Sequence, residues 1–116
     1  MDINQLLHEK LAPVHKKLLN FNPLCELKNE LPEQIMACQY IEETDCVLEL
    51  GGSIGRNSCV INSLLKDKSK HVVLEPSTNE IAFLINNKNN NDLKYNIEIA
   101  ALSNKQLSTI CSTIKA

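Results

Sequence analysis

The sequence predicts an α/β fold built on parallel strands. Two short apolar runs, Cys46–Leu50 and His71–Glu75, have the length and composition of buried strands, and the first suits a strand covered on both faces. The segment between them begins with a turn that contains all three glycines and continues with helical periodicity. A strand, a helix and a second strand form a βαβ unit, whose crossover is right-handed in nearly every case and whose strands are parallel.

Helices are predicted at the N-terminus. Asp2 and Gln5 have the spacing of a capping box, and apolar residues then recur at helical intervals. This pattern predicts a helix or helix pair over residues 3 to 20, which Pro13 kinks or divides because proline lacks the N–H that a helix interior requires.

A second helix is predicted just before the first strand. Pro32 suits the first turn of a helix that ends near Ile41. We therefore expect a helical segment over residues 1–31 and an α/β segment over residues 32–116 within a chain short enough for one domain at most.

Composition excludes several functional classes. An apolar content of 43% and a formal charge of -2 are ordinary for a globular protein, so nucleic-acid binding is not implied by charge. Apolar runs stay short of the roughly 20 residues that span a bilayer, and the first residues lack the order of a signal peptide. We expect a cytoplasmic protein, or one within an intracellularly assembled particle, that does not enter a membrane.

The cysteines and histidines do not predict a metal site. The five cysteines are odd in number and lack a C-x-x-C pair, so we expect reduced, mostly buried thiols. Cys46 and Cys59 flank the glycine turn, but small buried cysteines behave as hydrophobic residues, and a catalytic role is not expected. His8 and His15 share a helix face without a suitably spaced carboxylate or thiol, so both are expected to be solvated.

The glycine turn excludes two common nucleotide-binding patterns. The dinucleotide pattern G-x-G-x-x-G fails because Ser53 stands where its second glycine belongs. The phosphate loop G-x-x-x-x-G-K-[ST] fails because Arg56 and Asn57 replace its Gly-Lys pair. A Rossmann-like module for another nucleotide is therefore disfavoured.

The remaining pattern is E-x-G-x-x-x-G, formed by Glu49, Gly51 and Gly55. It resembles the first motif of class I S-adenosylmethionine-dependent methyltransferases, in which the glycine loop passes beneath the methionine and ribose portions of the cofactor. The whole run VLELGGSIGRNS is similar to the FkbM-type branch. Packing alone can also produce a glycine-rich turn between a strand and a helix.

Glu75 is the second candidate site residue. It ends the second strand about twenty residues beyond Gly55, where nucleotide-binding α/β folds place an acid that accepts hydrogen bonds from ribose hydroxyls. The alternative is an exposed glutamate at a strand end. The resemblance assigns this position to the cofactor ribose, and HVVLEPS matches the FkbM-like pattern.

A helix and a third strand are predicted after Glu75. Thr78–Glu80 can cap a helix whose buried face is Ile81, Leu84 and Ile85 and which ends before an asparagine-rich loop. Tyr95–Leu102 reads as a strand. In FkbM-like proteins the segment after this strand passes the adenine, which implies contacts from Ala101 and Leu102.

The resemblance implies a three-layer, Rossmann-like partial parallel sheet with strand order 3-2-1 and S-adenosylmethionine as the cofactor. The residues assigned to cofactor binding by motif and resemblance are Glu49, Gly51, Gly52, Ser53, Gly55, Asn57, Glu75, Ala101 and Leu102.

The resemblance covers only the cofactor-binding half of the family domain, roughly residues 32 to 105. The acceptor-binding half is not matched, so no residue is nominated as a general base and independent catalysis is not expected. Strand one would also be an edge, although its sequence is that of a central strand. We expect the segment Leu107–Ile114, a second copy or another protein to cover this edge. The alternative function is a non-catalytic structural or interaction protein that retains a truncated methyltransferase fold.

Overall fold

The computed structural model describes residues 2–102, 107–108 and 113–114. The elements follow one another as α1 (Ile3–Gln5), a π-helical turn (Leu6–Leu11), α2 (Ala12–Lys17), a 3₁₀ helix (Leu24–Glu30), α3 (Leu31–Tyr40), β1 (Val47–Leu50), α4 (Arg56–Leu64), β2 (His71–Leu74), α5 (Thr78–Asn90), β3 (Asn96–Glu98), β4 (Leu107–Ser108) and β5 (Thr113–Ile114).

Three parallel strands form the main sheet, in the order β1-β2-β3. This is the predicted order 3-2-1 seen from the opposite edge, so the α/β class and the parallel pairing are confirmed. Val47 is opposite His71, and Val72 is opposite Asn96. Because β2 lies between the others, its end and the turn after β1 meet at the carboxyl edge of the sheet.

One face of the sheet is covered by α4 and α5. Tyr95 connects the two helices to this face, since its hydroxyl donates to the carbonyl of Leu84 in α5 and lies 3.9 Å from the Cys59 sulfur in α4. Right-handed crossovers that step in one direction across a sheet place both helices on the same side. On the opposite face Leu48 and Leu50 are each 57% exposed. Within the described residues the expected coverage of β1 on both faces, and with it the three-layer arrangement, is therefore wrong.

The N-terminal helix contains an irregular turn. The predicted capping box is confirmed, because the Asp2 carboxylate accepts from the Gln5 N–H at 2.9 Å and the Gln5 side chain accepts from the Asp2 N–H at 3.0 Å. The Ala12 N–H donates to Leu7, five residues back, which makes this a π turn. Pro13 lies directly after it, at the second position of α2. The helix widens before the proline instead of breaking at it.

A single apolar core joins the N-terminal helices to the sheet. Leu6, Leu11 and Leu18 belong to the same buried cluster as Val60 of α4 and Val73 of β2. The residues on either side of the expected segment boundary at 31/32 thus share one core.

Two predicted element boundaries are wrong. The asparagine-rich stretch is the last part of α5, because buried Asn87 accepts from the Asn22 N–H at 2.7 Å and donates to the Ile54 carbonyl at 2.9 Å. Ile85, expected on the buried face, is 42% exposed. The third strand ends at Glu98, because the Ala100 N–H bonds back to the Glu98 carbonyl and turns the chain away.

Among the described residues, β1 pairs on one side only, with β2. The short strands β4 and β5 pair with each other in a separate antiparallel ladder. These four residues therefore do not cover the edge of β1 as expected, and the rest of the segment Leu107–Ile114 lies outside the described residues.

Candidate functional site

The turn after β1 has a left-handed backbone at three positions. Gly51, Ser53 and Gly55 have φ values of +80°, +52° and +103°. The N–H groups of Gly51 and Gly52 both donate to the Leu74 carbonyl, at 2.8 and 3.2 Å. The turn is thereby fixed to the end of β2. Glycine is favoured at positions 51 and 55 because a left-handed backbone is costly for residues that carry a Cβ.

The three glycines have different surroundings. A Cβ at Gly52 would lie 2.3 Å from the Val73 Cγ1 atom, and one at Gly55 would lie 3.1 Å from a Leu84 methyl group. A Cβ at Gly51 would meet no heavy atom within 4 Å. Gly52 and Gly55 therefore allow close packing against the core, whereas Gly51 offers exposed backbone to a ligand.

Glu75 lies beside the turn, as predicted, but it is only 6% exposed. One carboxylate oxygen accepts from the Ser53 N–H at 2.7 Å, and the other accepts from the Ser77 N–H at 2.8 Å. The alternative of an exposed strand-end glutamate is therefore wrong. The carboxylate holds together the two loops that follow β1 and β2.

Helix α4 starts where the sequence predicts, with left-handed Gly55 as its N-cap. Since glycine has no side chain to cap the helix, the first-turn N–H groups and the positive end of the helix dipole face the turn uncapped. Asn57 is half-buried, and its buried Oδ1 atom has no hydrogen-bond partner among the described residues. The Ser58 hydroxyl, fully buried beneath Gly52, is also without a partner there.

Glu49 lies on the covered face of the sheet, where its carboxylate is bound by a histidine. The His71 Nε2 atom is 3.0 Å from the Glu49 carboxylate, and Asn62 Nδ2 lies 3.2 Å from His71 Nδ1. Because the amide nitrogen can only donate, Nδ1 accepts and Nε2–H donates to Glu49. One oxygen of the Glu49 carboxylate is therefore bound within the fold.

The pair of Glu49 and His71 lies in a buried part of the structure. His71, Asn62, Tyr95 and Cys59 are fully buried. Burial raises the pKa of the Cys59 thiol to about 12, although the Tyr95 hydroxyl opposes the shift. The thiol is thus protonated near neutral pH and cannot serve as a nucleophile. The helical spacing of Cys59 and Asn62 places both on one face of α4, but the sequence did not indicate that strand residues meet them.

The segment assigned to adenine contact follows β3 at the carboxyl edge of the sheet. Ala101 is half-buried and Leu102 is exposed. The Glu75 N–H donates to the Glu98 carbonyl at 3.0 Å, which connects the end of β3 to the loop after β2. The glycine turn, the Glu75 carboxylate and the segment at Ala101 and Leu102 therefore all lie at the carboxyl edge of the sheet.

His15 is buried, contrary to the prediction that it is solvated. Its Nε2 atom lies 2.7 Å from the Gln34 Oε1 atom, while Gln34 Nε2 donates to the Leu27 carbonyl at 2.7 Å. Burial, together with the charge of Lys28, lowers the pKa of His15 against the opposing effect of the Gln34 bond. A neutral imidazole with Nε2–H donating to the amide oxygen satisfies this arrangement.

The described residues contain neither a metal-binding cluster nor a helix that could span a membrane. Within residues 2–102 and the two short C-terminal strands, no cluster of histidine, cysteine and acidic side chains could hold a metal ion. Nor does any helix in the same part of the chain have the length and apolarity needed to cross a membrane.

No protein-family model, curated protein or solved structure matches this chain.

Proposed function

We propose that the chain is an S-adenosylmethionine-binding domain of the FkbM-like class I methyltransferase type, with a Rossmann-like sheet. The observation that carries the proposal is the open, left-handed backbone at Gly51, which lies beside the uncapped N-terminus of α4. Its position at the carboxyl end of a parallel strand is the usual ligand position in open α/β sheets.

The residues of the turn suit the methionine portion of this cofactor, which carries a carboxylate and an ammonium group. A helix N-terminus favours the carboxylate through its free N–H groups and its dipole. The Asn57 Oδ1 atom is unpartnered but buried, so it could accept from an ammonium group only after this half-buried side chain rotates toward the turn. The Ser53 N–H is not available to the cofactor, because it already donates to the Glu75 carboxylate.

Glu75 suits a supporting role better than direct ribose binding. Both of its oxygens accept backbone N–H groups, and the side chain is almost inaccessible. We assign it to holding the turn in its left-handed shape. Ala101 and Leu102 are proposed to contact the adenine because they lie at the same edge.

The proposal is limited to binding. S-adenosylmethionine supplies an electrophilic methyl group, but the described residues at the turn include no base with access to an acceptor. Catalysis is therefore proposed to require another chain or another part of the protein, which could also cover the free edge of β1.

The second candidate function is a non-catalytic interaction protein. The exposed Leu48 and Leu50 and the structural use of Glu75 favour it. Either function is proposed to operate in the cytoplasm or in an intracellularly assembled particle, since exposed free Cys25 and Cys46 suit a reducing compartment.

Equilibrium dialysis with labelled S-adenosylmethionine tests the proposal. The unmodified chain should bind at concentrations below about 1 mM. Asn57→Ala should weaken binding about tenfold, because it removes one hydrogen bond to a charged group. Its unfolding midpoint should stay unchanged, because the Asn57 oxygen has no partner within the described residues.

Asn86→Ala is the matched control, because Asn86 is an exposed asparagine on α5. It should bind like the unmodified chain. If the unmodified chain shows no binding at about 1 mM, the cofactor proposal is wrong and the interaction protein is favoured. Equal binding by both variants would remove Asn57 from the site.

A further inference from the structure

A groove lined by residues outside the glycine turn has the features of a second ligand site. It lies between the N-terminal helix and the 3₁₀ helix and has a volume of about 670 Å³. That volume is within the range of about 300 to 1,000 Å³ that small-molecule sites occupy.

Leucine is the most frequent residue in the walls of the groove. Leu27 forms part of the buried floor, whereas Leu19 and Leu24 are 66% and 49% exposed. Exposed leucines that line one concave surface differ from isolated surface leucines, because a bound hydrocarbon can cover them together. The walls therefore suit an apolar, elongated ligand.

The charged side chains that line the groove are all basic. Lys16 and Lys28 carry the charge, and His8 adds an imidazole. The charge of Lys28 reaches the groove, because it contributes to the lowered pKa of buried His15. Glu9, Glu26 and Glu30 are each adjacent in sequence to a lining residue but do not line the groove themselves, and Glu26 is paired with Arg56. The groove thus offers an apolar surface with a cationic rim.

The irregular helix helps to shape this groove. Leu7 and Ala12 line it and are also the two residues that the π-type hydrogen bond joins. A π turn inserts an extra residue into a helix, and such insertions are frequent at functional sites. An α-helical turn here would move these side chains to other positions around the helix.

We propose that this groove binds a single-chain anionic amphiphile, with its hydrocarbon on the leucine walls and its carboxylate or phosphate at the basic rim. Apolar burial supplies the affinity, and the cationic rim selects the sign of the head group. This inference does not depend on the cofactor proposal, because none of the residues that line the groove belongs to the glycine turn.

Two free cysteines provide a probe and its internal control. Cys25 lines the groove and is exposed, and Cys46 is exposed outside it. The rate of alkylation by neutral iodoacetamide can be measured at each cysteine by peptide mass spectrometry. The probes are dodecanoate, monododecyl phosphate, 1-dodecanol and dodecyltrimethylammonium, each kept below the concentration at which it forms micelles.

We expect the two anions to slow alkylation of Cys25 about tenfold while Cys46 reacts at an unchanged rate. The dodecanoate and phosphate arms distinguish a carboxylate from a phosphate head group. The alcohol should protect less, and the cation should not protect. Equal protection by all four probes, or protection of Cys46 as well, would overturn the proposal.

Charge variants test the rim directly. The double variant Lys16→Gln/Lys28→Gln should weaken dodecanoate protection about fivefold and leave protection by the alcohol unchanged. The matched control is Lys66→Gln/Lys70→Gln, which removes the same charge from exposed positions outside the groove. If both double variants behave alike, the rim does not select anions. If only an acidic amphipathic peptide protects Cys25, the occupant is a protein segment and the proposal fails.

Discussion

The two faces of the three-stranded sheet reverse the usual distribution of polarity. The covered face carries Glu49, His71 and Glu75, all hydrogen-bonded, together with Val73. The opposite face carries Leu48 and Leu50, which remain largely exposed. Burial here follows the positions of the helices rather than hydrophobicity. The covered face is fixed by specific polar contacts, and the exposed face is free for association.

The largest expected effect concerns the covered face at Gly52. Gly52→Ala should lower the free energy of unfolding by about 3 kcal/mol, because its Cβ would lie 2.3 Å from Val73, a stiff β-branched residue. Gly51→Ala should cost about 1 kcal/mol, because the Cβ has space and only the left-handed backbone is strained. Urea unfolding of both variants measures the difference. Equal losses would show that the sheet and turn are packed less closely than described.

The next effect concerns the buried pair of Glu49 and His71. His71→Leu should cost roughly 2 to 3 kcal/mol, because it leaves a nearly buried carboxylate without its donor. In a double-mutant cycle, Glu49→Leu/His71→Leu should be more stable than the sum of the single losses implies.

Asp92→Asn is the control for this pair, because the Asp92 Oδ1 atom and the Lys94 Nζ atom form an exposed ion pair at 3.9 Å. It should change stability by less than about 0.5 kcal/mol. Additive losses at Glu49 and His71 would contradict the coupling inferred from their distance.

A smaller effect is expected on the exposed face. Leu48→Ser should cost less than about 1 kcal/mol at low protein concentration, because the side chain is already 57% exposed. Val73→Ala on the covered face should cost about 2 kcal/mol. If the cost of Leu48→Ser increases with protein concentration and sedimentation shows a dimer, a second copy covers this face and the contrast between the faces is lost.

The smallest effect is expected at His15, outside the sheet. Since its pKa is lower in the folded than in the unfolded chain, the unfolded state binds the proton first as the pH falls. The stability that neutral His15 contributes is complete above pH 6.5, the ordinary pKa of histidine. It is lost as the pH falls from 6.5 through the lower pKa that His15 has in the folded chain. His15→Gln should therefore lose less stability than the unmodified chain between about pH 7.5 and pH 5.5.

His8→Gln is the control for the pH measurement, because His8 is exposed on the same helix. If His15→Gln has the same pH profile as the unmodified chain, folding does not lower the pKa of His15 and the prediction is wrong.

The local features of the fold could be predicted from sequence. The capping box at Asp2, the parallel strands and the start of α4 at the glycine turn follow from short-range rules of hydrogen bonding and periodicity. The spacing of Glu75 from Gly55 and the family resemblance assigned the turn and Glu75 to one cofactor site. The burial of Glu75 was not predicted, because it depends on two backbone N–H groups whose positions arise only when both loops are in place.

By itself the sequence determined where β1, β2 and the glycine turn lie. Tertiary structure decided which glycine packs against the core. A Cβ at Gly52 would clash with Val73, whereas a Cβ at Gly51 would have no heavy atom within 4 Å. Tertiary structure also decided that Leu48 is exposed and His71 is buried. Side-chain periodicity assigns residues to one face or the other, but only the placement of α4 and α5 determines which face is removed from water.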